Sequence, residues 1–224
     1  KAELENFNQA GTKLEVPLDP RLTPAENAQV YFKKYNKAKS AKVLVEEQIK
    51  KGRSEMAYLE SVLASLEQAV NLADLNEIRI ELAETGYLKE KHQPRKKSAE
   101  PVLPPLSFVT PDGYTILVGK NNKQNDRLTL KTAGKDDMWL HTKNIPGSHV
   151  IIRKKPGADI PFSTIETAAK LAAFYSKARY SSQVPVDYTL VRQVKKPAGA
   201  KPGMVIYFEQ KTIYVTPEDI PSKQ

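Results

Sequence analysis

Two of the three histidines and the only tryptophan of this 224-residue chain fall in one stretch, DDMWLHTKNIPGSHVII, residues 136–152. Several chemistries are open to it. His141 and His149, with Asp136 and Asp137 upstream, suggest metal ligation. Their spacing fits no familiar zinc pattern, however, and a catalytic zinc needs three protein ligands in place. Ser148 beside His149 suggests nucleophilic catalysis, but neighbours on a strand point to opposite faces. Gly119-Lys120 lacks the frame of a Walker phosphate loop, and Gly199 and Gly203 do not follow the dinucleotide glycine pattern. RNA binding is better supplied. Lys120, Lys123, Arg127, Lys131, Lys135 and Lys143 can pair with phosphates, and Asn121, Asn122 and Asn125 can meet base edges or 2′-hydroxyls. Trp139, His141 and His149 suit stacking on unpaired bases. They suit other roles equally: Trp139 a core residue of a sheet, the two histidines a satisfied pair that holds a turn.

The elements that position these residues follow from periodicity. Residues 138–152 read as two strands joined by a tight Pro146-Gly147 turn of type II, with Trp139 and His141 on one face. That hairpin brings His141 and His149 together. Around it lie strands at 107–110, 114–118, 186–191, 204–209 and 212–215, the last two expected as a hairpin. Residues 119–131 read as a polar loop entering a short helix capped by Asn122 or Asn125. Ser163 opens an Ala-rich helix ending near Arg179. Lys195–Gly203 is a basic loop. Further upstream, Thr23-Pro24-Ala25-Glu26 starts a helix whose heptad seam (Ala28, Tyr31, Tyr35, Ala38, Lys42, Val45, Ile49, Gly52, Met56, Leu59, Leu63, Leu66, Val70) is apolar but for Lys42 and Gly52 and keeps its phase through both. This predicts one helix over 24–70, roughly 70 Å long. A helix from Asp74 to near Gly86 is too short to cover that seam, so a further partner is expected. Residues 2–9 read as the end of a helix, and Lys13–Leu18 as a strand without a nearby partner.

The expected organisation is therefore a remnant of a preceding domain at 1–22, a coiled coil at 23–88, a basic Pro-rich linker at 89–105 and a compact domain at 106–224. The fold class is α+β: a long coiled-coil arm followed by a mostly antiparallel sheet with one or two helices. Starting at Lys1 rather than Met, the chain reads as part of a longer protein. Residues 1–100 carry 17 Lys/Arg against 16 Asp/Glu, whereas 101–224 carry 18 against 10. The basic excess thus surrounds the candidate site and favours a polyanionic partner. Zero cysteines exclude disulfides and Cys-ligated zinc. No apolar run reaches membrane-spanning length.

Four stretches carry a family resemblance: NAQVYFKKYNKAK (27–39), GKNNKQNDRLTLK (119–131), the 136–152 motif, and VPVDYTLVRQVKKPAGAKPG (184–203). They resemble the C-terminal part of the bacterial RqcH family, also called fibronectin-binding protein A and related to eukaryotic NEMF. The 136–152 motif resembles its NFACT-R RNA-binding domain, and residues 24–88 its middle coiled coil. The resemblance implies a cytoplasmic, ribosome-associated quality control factor without enzymatic activity or cofactor of its own. Its partners would be obstructed large ribosomal subunits, with rRNA and a stalk-base protein met by the coiled coil, and alanyl-tRNA. Its role would be mRNA-independent alanine tailing of stalled chains. The older family name implies the alternative of a fibronectin-binding adhesin. On this reading the RNA-binding residues are Lys120, Asn121, Asn122, Lys123, Asn125, Lys131, His141, Lys143, Ser148, His149, Lys195 and Lys196.

Overall fold

A computed structural model describes residues 1–7, 9, 11–89 and 103–220. Most of the expected linker, with His92, lies outside the described residues. The chain divides into two compact units, Lys1–Ser54 and Glu55–Gln224.

In the first unit, β1 (Ala2–Glu5) and β2 (Lys13–Val16) form an antiparallel hairpin, with Leu4 opposite Leu14 and Glu5 opposite Lys13. This replaces the helix expected at 2–9 and gives Lys13–Val16 its partner. Ala-Glu-Leu-Glu suits either state locally. Gly11 takes φ of 83° and turns the chain back, and cross-strand Lys1–Glu15 and Lys13–Glu3 pairs favour the strand. Helix α1 (Pro24–Gln68) opens with the capping box. Glu26 accepts the Thr23 N–H at 2.7 Å, and Thr23 Oγ1 accepts the Glu26 N–H at 3.3 Å. The helix passes through Gly52 without a break.

In the second unit, the last turns of α1 pack on α2 (Leu72–Glu84). Tyr58, Val62 and Ile78 form the buried centre of that contact, flanked by Ala69, Leu82 and Tyr87. Asn71, rather than Asp74, caps α2: its side chain accepts the Asp74 N–H, and Asp74 in turn accepts the Val70 N–H. The heptad seam is not what α2 covers. Leu59, Leu63 and Leu66 stay exposed beside the buried residues, as do Tyr35, Val45, Ile49 and Met56 along the helix. This contrast gives an expected result for neighbours in sequence. Val62→Ala, at 4% exposure, should cost about 1–3 kcal/mol in chemical denaturation, whereas Leu63→Ala, at 52%, should cost under about 0.5 kcal/mol.

The rest of the unit is an α+β domain. It contains β3 (Leu106–Val109), β4 (Thr115–Val118), α3 (Asn122–Arg127) running into a π-helical turn (Leu128–Thr132), β5 (Met138–Thr142) and β6 (Val150–Ile152). There follow α4 (Phe162–Phe174), β7 (Val184–Leu190), β8 (Val194–Lys195), β9 (Ile206–Tyr207) and β10 (Lys211–Val215). Six strands pair antiparallel in the order β10-β7-β5-β6-β4-β3. The face carrying Ile116, Val118, Leu140, Val150, Val186 and Val215 packs on α4, whose Ala168, Ala169 and Ala172 permit close approach. The opposite face carries Trp139 and Ile151 under Leu128, Val194, Val205 and Tyr207.

Four local expectations are corrected. The β5–β6 connection is not a tight Pro-Gly turn but residues 143–149, with the positive φ at Asn144 (55°). Gly147 is needed for space instead: a Cβ there would sit 2.8 Å from Ser176 Cβ and 2.9 Å from Thr142 Oγ1. Helix α3 is capped by Asn121, whose side chain accepts the Gln124 N–H at 2.9 Å. Helix α4 starts at Phe162 without a side-chain cap and stops at Phe174. Finally, β9 pairs with β8 and β10 with β7, so residues 204–215 do not form a hairpin; Glu209 takes φ of 53° between them.

Candidate nucleic-acid interface

The polar motif at Lys120–Asn125 is folded onto α2. Asp74, Glu77, Glu81 and Glu84 recur at helical spacing and so form one acidic face. Lys120 Nζ meets Asp74 at 2.5 Å. Asn121 Nδ2 and Gln124 Nε2 both donate to Glu77, at 2.6 and 2.7 Å. Asn122 Nδ2 donates to Glu81 at 3.0 Å and to Ser61 Oγ at 2.9 Å. Lys123 pairs with Glu84 at the outer end, at 2.9 Å. Glu81, 1% exposed, also accepts the Tyr58 hydroxyl at 2.9 Å. Burial raises its pKa above the usual carboxylate value, while the Asn122 and Tyr58 hydrogen bonds hold it down. Asn125 turns inward and accepts the His149 N–H at 3.0 Å.

The basic loop is also tied down. Lys196 bonds Asp126, which accepts the Gly203 N–H as well. Lys201 donates to Tyr87 at 2.6 Å and lies over its ring and that of Tyr58. Of the residues expected to read RNA, then, Lys120, Asn121, Asn122, Lys123, Asn125 and Lys196 spend their polar groups inside the protein. For the first four, the physical reason is the acidic face of α2, which pairs them at close range.

The histidines sit on the face of the sheet away from α4. His141 stacks on Trp139, with ring centroids 5.7 Å apart, and meets His149 edge-on at 5.5 Å. His149 Nδ1 lies 2.8 Å from Thr129 Oγ1. Trp139 and His149 are fully buried, and Ser148 is buried with its N–H donating to the Tyr175 carbonyl. Burial lowers the pKa of both rings, His141 to about 4 and His149 well below its usual value, the latter helped by its neighbour. Both are therefore neutral at neutral pH and offer phosphate no counter-charge. Among the described residues, no group of three or more His, Asp or Glu lies close enough to hold a metal.

Beside His141, at the paired position on β7, is Asp187, 1% exposed. It accepts the Tyr207 hydroxyl at 2.9 Å and the Thr212 hydroxyl at 2.6 Å, with Lys143 Nζ at 3.9 Å. Burial and the neighbouring carboxylate raise the Tyr207 pKa, so that hydroxyl stays a donor. The alternation VPVDYTL carries the signal for Asp187, since it puts a carboxylate on the face shared with His141.

What remains open on this side is a mixture of cations and rings. Lys143 reaches Thr212 at 3.5 Å; two residues along β10, Tyr214 is 63% exposed. Phe208 is 47% exposed with Lys195 over its ring at 5.9 Å, and Ile206 is exposed beside it. Exposed rings interleaved with lysines suit unpaired bases and their phosphates. Of these, the sequence reading names Lys143 and Lys195 and passes over Phe208 and Tyr214. Aromatics in strands usually belong to cores, and only the sheet order reveals that β10 is an edge. Lys131 is exposed elsewhere, on the π-helical turn.

With this geometry in view, comparison with known proteins is specific. Residues 1–101 match the family model of the NFACT N-terminal and middle domains, and residues 105–208 that of the NFACT protein RNA-binding domain. The chain is 48% identical over 220 residues to the Rqc2 homolog RqcH of Bacillus subtilis (strain 168), covering 97% of this chain and 38% of that protein. It is 28% identical over 92 residues to the ribosome quality control complex subunit NEMF homolog of Drosophila melanogaster, which is 41% of this chain and 9% of that one. The chain thus spans well under half the length of these relatives. A solved structure, the C-terminal part of the fibronectin/fibrinogen-binding protein from Streptococcus suis, aligns with TM-score 0.78 and 46% identity, over 87% of this chain and 77% of that one.

Proposed function

This chain belongs to the NFACT family, and from that premise we propose that it is the coiled-coil and RNA-binding part of an RqcH-type ribosome quality control factor. It acts in the cytoplasm by binding rather than by chemistry. The sheet domain engages rRNA of obstructed large subunits and an alanyl-tRNA, the coiled coil reaches a stalk-base protein, and together they support mRNA-independent alanine tailing. The observation that carries this reading is the open face of Lys143, Lys195 and Phe208, within the residues that match the NFACT RNA-binding model, continued by Tyr214 on β10. No helix among the described residues is long and apolar enough to cross a membrane.

The test is binding of large subunits and of a tRNA transcript across a salt series. The chain should bind both, with affinity falling steeply as salt rises. Phe208→Ala/Tyr214→Ala should weaken binding at least about thirtyfold, because each of the two lost base stacks is worth about 1–3 kcal/mol. Absent or salt-insensitive binding overturns the proposal. Fibronectin immobilised in the same assay tests the alternative suggested by the Streptococcus suis relative: capture of fibronectin without affinity for RNA would favour adhesion.

A further inference from the structure

At the end of the sheet where β5 begins and β6 and β7 finish, one buried carboxylate gathers three segments of chain. Asp137 is 5% exposed. Its Oδ2 accepts the Gly134 N–H at 2.8 Å and the Arg153 guanidinium at 3.0 Å, and its Oδ1 accepts the Lys154 N–H at 2.8 Å. Its carbonyl accepts the Val191 N–H, and the next turn is tied by the Arg192 N–H donating to the Lys135 carbonyl. Arg153 also donates to the Thr132 carbonyl at 2.7 Å, fixing the turn that carries Lys131. Each segment brings cations: Lys131 and Lys135 before β5, Arg153 and Lys154 after β6, Arg192 after β7. Among the described residues, the carboxylates paired with these cations are Asp136, bonded to Arg192, and Asp137, bonded to Arg153. Lys131, Lys135 and Lys154 are exposed and have no carboxylate partner among the described residues.

We propose that this cluster is a second RNA contact, one that binds phosphates; the proposal rests on the RNA-binding reading given above. Arg153 and Arg192 brace the turns through Nη1, to Asp137 and Thr132 and to Asp136, so the cations of the cluster without a carboxylate partner are the three lysines. Three free ammonium groups on a braced platform give affinity without sequence preference. Lys143 lies past the other end of β5, about 15 Å away for a strand of this length, so one RNA can touch both surfaces.

The experiment compares the whole chain with its Lys131→Gln/Lys135→Gln/Lys154→Gln variant, using a labelled single-stranded RNA and a tRNA transcript over a salt series. The three side chains are exposed, so thermal unfolding should be unchanged. RNA affinity at low salt should fall about tenfold or more, equally for different sequences. The slope of log affinity against log salt should shrink by about 2, as three lost phosphate contacts require. Lys154→Glu alone should weaken binding in the same direction. If the parent chain binds RNA but the triple variant matches it in affinity and slope, the second contact is wrong while the RNA-binding reading stands. If the parent binds no RNA, both fall.

Discussion

Asn122→Leu should loosen the attachment of α2 to the sheet domain by about 2–4 kcal/mol, the largest single loss expected from any residue of the GKNNKQN motif. Asn122 is 2% exposed, and its amide donates to both Glu81 and Ser61. Leucine fills a similar volume but withdraws both donors. The Glu81 carboxylate, 1% exposed, then loses its Asn122 donor and keeps the Tyr58 hydroxyl and the Lys123 backbone N–H. A buried charge stripped of a partner costs far more than the bond itself was worth. Hydrogen exchange should show the loss as faster opening of α2, with the β5 and β7 amides unaffected. Adding Glu81→Leu should return much of the stability, because two apolar groups replace a charge and its donor together. If the double variant is no better than the single, the pairing energetics are wrong. If Asn122→Leu is neutral, the motif is not a structural joint.

This joint changes what the motif is for. Asparagines and lysines in a basic domain resemble an RNA-reading set, yet four acidic residues of α2 take up their donors one by one. On the proposed function, the RNA contacts fall to surfaces that the motif does not contain: the rings beside Lys143 and Lys195, and the end cluster around Asp137. The motif positions the domain on its helices, and other residues are free to meet the partner.

Elements are more legible in this sequence than the company they keep. The 3–4 spacing from Ala28 onward determines a helix through Gly52, since one glycine costs about 1 kcal/mol against many turns of phase. The alternation at Trp139/His141 and at His149/Ile151 correctly places both histidines on one face. Ala2–Glu5 reads wrongly as helix because its pattern fits both states and the deciding partner lies across a turn at Gly11. The destination of Lys120–Asn125 is hidden for a similar reason. Its partners, Asp74 through Glu84, lie about 40 residues upstream, and nothing in a one-dimensional charge count tells a carboxylate that faces solvent from one that faces a loop. Tyr214 looks like an ordinary strand residue until the sheet order makes β10 an edge.

The stability of the sheet domain should fall as pH drops from 7 toward 4, and the histidine pair should be the cause. Both rings have folded pKa values depressed by burial, His141 to about 4 and His149 well below the ordinary 6.5. The unfolded chain therefore takes up protons near pH 6.5 that the fold refuses. The contribution of His141 is whole above that pH and is lost as pH falls from 6.5 to about 4, and His149, also lowered, adds to the loss below 6.5. Each histidine adds at most about 1.4 kcal/mol per pH unit there. Lys196 opposes protonation of His149, and the buried Asp187 favours it at His141, so His149 is the more resistant of the two. Glu81 acts in the other direction. Its raised pKa lets the fold bind a proton earlier than the unfolded chain does, so the fold gains stability from it as pH falls toward 4.5. The two effects separate by position. Denaturation midpoints of Glu81→Gln should drop more steeply with acid than the parent's, and those of His149→Gln should drop less steeply. The amide that replaces the ring in His149→Gln still offers an acceptor to Thr129, so the variant should fold. A parent curve flat between pH 7 and 5 would mean that the rings are not held neutral by burial, and the face around Trp139 would have to be wetter than its packing shows.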